Sequence, residues 1–172
     1  MDRIEFKKLL FKVAFCTMAC DGNIDDKEIE EMKVMDKHSH FFEDIDLSEE
    51  LERIISELEQ KGIKIIEELF EELKKNELNP IQELLILEVA LRIIKADERY
   101  DENEIKFIHL LRGKLKVHDE IIKDRFGIVD ILYENNYTNN IVIPDTGKEL
   151  SQKIELPELT IVKNIDLKDD KK

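Results

Sequence analysis

The chain has 172 residues, 41 of them acidic and 27 basic, for a formal net charge of −14. That length fits one domain with a tail, and with no Lys/Arg-rich run the charge leaves no source for the phosphate neutralisation that nucleic-acid binding needs. Hydrophobic residues make up 42% but aromatics only 6%, without tryptophan, so an aliphatic, Leu/Ile-packed helical core is expected.

From residue 2 to residue 20, Leu9, Leu10, Val13, Ala14 and Met18 recur at helical spacing among lysines, which predicts an amphipathic first helix. Asp21-Gly22-Asn23 breaks it, and a second helix is expected from near Asp25 to His40 or Phe42. Ser48 followed by two acids opens a third helix to about Lys61, and Gly62 separates it from a fourth carried by Ile63, Ile66, Leu69, Phe70 and Leu73. Asn79-Pro80 restarts the chain, since proline suits the first turn of a helix and asparagine caps it. Residues 81–96 are apolar around most of the circumference and read as the central, buried helix. A sixth helix over 101–115 and a seventh over 118–133 complete an all-α bundle of roughly seven helices spanning residues 1–134. Residues 135–172 form an expected tail: a polar run at 135–140, a short extended piece at 141–144, and a loosely alternating segment over 154–167 interrupted by Pro157. Its composition predicts disorder or an extended arm, either packed on the bundle or offered to a partner as a strand.

The strongest signal is an internal repeat. An offset of 76 residues carries Asp21 onto Asp97, and both copies read Asp-x-x-apolar-Asp-acid-x-Glu-Ile. Each copy follows an apolar helix and opens another, so the duplicated unit is helix, acidic turn, helix. Asp21, Asp25 and Glu28, with Asp97, Asp101 and Glu104, are the candidate ligands of a hard divalent cation, Ca²⁺, Mg²⁺ or Mn²⁺, because such ions take oxygen donors at this density. Helix capping explains part of the pattern: Asp25 with Glu28, and Asp101 with Glu104, have the spacing of a capping box. Asp21 and Asp97 exceed what capping requires, because an acid at a helix C-terminus faces the negative pole, at a cost of about 0.3–1 kcal/mol. Reading Asp21-Gly22 as the middle of an EF-hand loop would place Thr17 and Ala19 at the first carboxylate positions, so any site is partial or shared between both turns.

The motifs Ala19-Cys20-Asp21-Gly22-Asn23-Ile24-Asp25 and Lys95-Ala96-Asp97-Glu98-Arg99-Tyr100-Asp101, each followed by a Glu and an apolar helix, resemble the TerB-like tellurite-resistance family. The resemblance covers about residues 6–132 and leaves the tail outside it; the second motif has Glu98 where the family often has glycine. It implies an all-helical duplicated core and an acidic metal-binding surface at Asp21, Asp25, Glu28, Asp97, Asp101 and Glu104. It also implies a role in tellurite, chemical-stress or phage-defence systems beside a TerC-like membrane protein. The expected function is a non-enzymatic cation-binding adaptor or sensor. The alternative is a metal-free protein-interaction module whose acidic turns only cap helices.

Other candidates carry less. Cys16 and Cys20, four apart on one helix, read as reduced, buried thiols, and the histidines at 38, 40, 109 and 118 lack a shared-ligand spacing. Glu88 inside the apolar fifth helix requires a partner or water, and Glu67, Glu68, Glu71 and Glu72 with Lys74 and Lys75 read as a solvated face. There is no nucleophile elbow, glycine-rich phosphate loop, HExxH or CxxC, so no catalytic role is expected. No apolar stretch approaches the about 20 residues that span a bilayer, and residues 1–5 lack a signal-peptide pattern, so a cytoplasmic location is expected, at the inner membrane face through a partner.

Overall fold

The computed structural model describes residues 1–133 and 141–168, and these are all-α, with ten helices and no strand among them. At the centre lie α1 (Arg3–Ala19) and α5 (Pro80–Lys95), packed on each other. Against α1 stand α3 (Leu47–Lys61) and α4 (Lys64–Lys75); against α5 stand α2 (Asp26–Ser39) and α6 (Glu102–Lys114).

The amphipathic reading of α1 needs correction. From Phe6 to Ala19 every residue except Lys8 is buried. The lysines that suggested a wet face are accommodated by their tips. Lys12 Nζ reaches the Glu72 carboxylate at 3.3 Å, and Lys7 Nζ donates to the His40 carbonyl at 3.3 Å, so their stems cover apolar surface while their charges find oxygen. The core is less purely aliphatic than the composition suggests. Seven of the eight phenylalanines are buried, with Phe11 edge-on to Phe42 at 5.9 Å and Phe70 against Phe107 at 5.3 Å.

Capping follows the sequence signals closely. Asn79 and Gln82 close a capping box on α5, with Pro80 at its first position, and Gly62 at φ 58° separates α3 from α4. The cap of α3 is Asp46 rather than Ser48, because the Asp46 carboxylate accepts from the amides of both Ser48 and Glu49. The expected seventh helix is two, α7 (Asp119–Phe126) and α8 (Asp130–Tyr133), since Gly127 at φ 74° takes the chain out of helical geometry between them. His109 donates from its ring to the Ile131 carbonyl at 2.8 Å and fixes α8 on α6, a packing role. The buried Glu83 carboxylate accepts from the Lys116 and Val117 amides at 2.8 and 2.6 Å, pinning the loop after α6.

The described part of the tail is an arm that packs on the bundle, helical in part rather than wholly extended. Residues 141–168 carry two short helices, α9 (Gly147–Ser151) on α4 and α10 (Leu159–Lys163) on α3, and they bury Leu150, Ile154, Val162 and Leu167 in the common core. A Cβ on Gly147 would stand 2.9 Å from the Phe70 ring, so the bare glycine sets how closely α9 approaches. The expected solvated acidic face of α4 is correspondingly half covered: Glu67 accepts from the Ser151 hydroxyl, Glu68 pairs with Lys61 at 2.7 Å and Glu72 with Lys12. The polar run at 135–140, the boundary placed after residue 134 and residues 169–172 lie outside the described residues.

Because Leu150 is fully buried in the common core, Leu150→Ala is expected to cost about 2–5 kcal/mol in urea unfolding, the usual range for deleting a buried leucine. A cost near zero would mean that the tail lies free in solution.

Candidate functional site

The two acidic turns repeat bond for bond. After α1 ends, the Asp21 carboxylate accepts from the Asn23 amide at 2.8 Å; after α5 ends, the Asp97 carboxylate accepts from the Arg99 amide at 2.9 Å. Asp25 then caps α2 by accepting from the Lys27 amide at 2.8 Å, and Asp101 caps α6 by accepting from the Asn103 amide at 2.7 Å. Glu28 and Glu104 complete the boxes, each accepting from the amide of its capping aspartate at 2.8 Å. Asp21 and Asp97, which capping alone left unexplained, therefore each satisfy an amide of the turn itself.

What the hydrogen bonds do not absorb is charge. Glu28 and Glu104 are each only 2% exposed, and the two turns lie close enough for their carboxylates to act on one another. Burial first, and then the charges of Asp21, Glu104 and Asp97, push Glu28 up to about 9 against the opposing pull of the Asp25 amide. Burial likewise takes Glu104 up to about 8, with Asp21, Asp97 and Asp101 adding repulsion. Asp21 is raised by its own burial, with Asp101 and Asp97 contributing from the other turn. The structure thus brings Asp21, Glu28, Asp97, Asp101 and Glu104 into one electrostatic field, with Asp25 present as the cap of α2.

Glu28 is the distinctive member. Its Oε2 accepts from the Asp25 amide, while its Oε1 is buried and has no hydrogen-bond partner among the described residues. An unsatisfied buried carboxylate oxygen is costly, and either a proton or a cation relieves it. Among the described residues no group of three or more His, Cys, Asp or Glu side chains is arranged to hold a metal ion, so the carboxylates do not form a closed coordination sphere. Their donors are all oxygen, the type that hard divalent cations take, and Glu28 Oε1 is the one buried side-chain acceptor without a hydrogen-bond partner among the described residues.

The cysteines do not extend the site. Cys20 is fully buried, its thiol donates to the Thr17 carbonyl at 3.1 Å, and burial, then the charges of Glu104, Asp21, Glu28 and Asp101, hold it protonated. Cys16 is pushed by burial up to about 12, so both thiols are inert packing groups. His38 and His40 are exposed, and Glu88 pairs with Arg125 at 2.8 Å.

Sequence reasoning missed one close approach. Gly22, at φ 81°, lies directly under the tail: a Cβ there would meet the Glu155 carbonyl oxygen at 2.6 Å. The equivalent residue of the second turn, Glu98, takes φ 61° with a side chain present. The only sequence signal was that difference between glycine and glutamate at matched positions.

Compared with known proteins, the chain matches no family model, no curated protein and no solved structure.

The raised acids carry a definite pH signature. Between about pH 4.5 and 9 the folded protein keeps a proton on Glu28 that the unfolded chain has lost, so stability is full below that window and falls as pH rises through it. Glu28→Gln keeps an acceptor for the Asp25 amide and places a donor where Oε1 stands. It is therefore expected to raise stability at pH 8 by about 1–3 kcal/mol and to flatten the loss between pH 6 and 9. Denaturant unfolding across that range reads it, and an unchanged slope in the variant would refute the assignment.

Proposed function

We propose that the protein is a non-enzymatic divalent-cation-binding adaptor or sensor that uses its two acidic interhelical turns as one shared site. The observation that carries this reading is the buried, unpartnered Glu28 Oε1 inside a field of carboxylates drawn from both turns. A cation held there would neutralise charge contributed by the junctions α1–α2 and α5–α6 together, so its binding free energy would act on how the two duplicated halves pack. The resemblance to the TerB-like family supports assigning it to tellurite, chemical-stress or phage-defence systems, in the cytoplasm, with a protein partner such as a TerC-like membrane protein. No described helix is long and apolar enough to cross a membrane.

A second reading has an observation of its own. Both capping boxes are complete, and Asp21 and Asp97 each bond an amide of their turn, as a metal-free interaction module would require.

Thermal melts of metal-stripped protein with Ca²⁺, Mg²⁺, Mn²⁺ and Zn²⁺ separate the two. A cation at about a hundred times its dissociation constant adds about 2.7 kcal/mol. Asp21→Asn keeps an acceptor for the Asn23 amide while removing the charge, so under the cation reading it abolishes the ion-dependent shift with little change in the metal-free melt. No shift with any ion leaves the module reading standing.

A further inference from the structure

We draw no further inference here: the strongest candidate, the cavity of about 260 Å³ between α1, α3 and α4 lined by Glu5, Lys8, Leu9, Lys12, Arg53 and Glu72, carries nothing because Lys8, Lys12 and Arg53 are each already paired with Glu50, Glu57 or Glu72 of this chain, and nothing in the structure shows what would occupy it.

Discussion

The packing of α1 on α5 is the constraint from which the rest of the molecule follows. Each helix runs out into the same acidic turn, and setting the two side by side places their C-terminal ends together. Two negative helix poles then meet carboxylates that both turns supply. The arrangement is tolerable because α2 and α6 begin at the same place, so their positive poles and free amides receive Asp25, Glu28, Asp101 and Glu104. Hydrogen bonding balances the backbone but not the charge, and burial of Glu28 and Glu104 favours their protonated forms.

The fold was legible wherever a helix is long enough to show its period. α2 to α6 lie where spacing and punctuation place them, because Asp25, Asn79 and Asp101 are efficient caps and Gly22 and Gly62 take positive φ. α1 was misjudged because lysine is charged only at its tip: Lys7 and Lys12 interrupt the apolar pattern in sequence while burying their stems in space. The tail was illegible for a different reason. α9 and α10 are five residues each, little more than one turn, and in so short a span Leu150 and Val162 cannot display a 3.6-residue period. Their anchoring is a long-range fact, fixed by what α4 and α3 present to them.

For the acidic site, the repeat revealed which residues belong together but not what each one does. Asp21 and Asp97 stood out in the sequence as acids at the unfavourable helix end, yet each proves to bond a nearby amide. Glu28 and Glu104 looked like ordinary members of a capping box, yet they are the buried pair whose charge is hardest to hold. A one-dimensional pattern records donors and acceptors close in sequence. It does not record that the α1–α2 junction faces the α5–α6 junction, and that encounter is what turns two unremarkable caps into a single acidic centre.

Duplication made the two turns alike, and the tail made them different. At the second position of each turn the backbone is left-handed, and either glycine or a side-chain residue can adopt it, as Gly22 and Glu98 do. At the first turn the absence of a side chain is used, because there the Glu155 carbonyl occupies the space. Glycine is often read as a conformational requirement, but here φ alone does not decide between the two copies. The close approach of Glu155 does, and it gives a duplicated core one turn covered by the tail at Gly22 and one turn that carries the Glu98 side chain at the matching position.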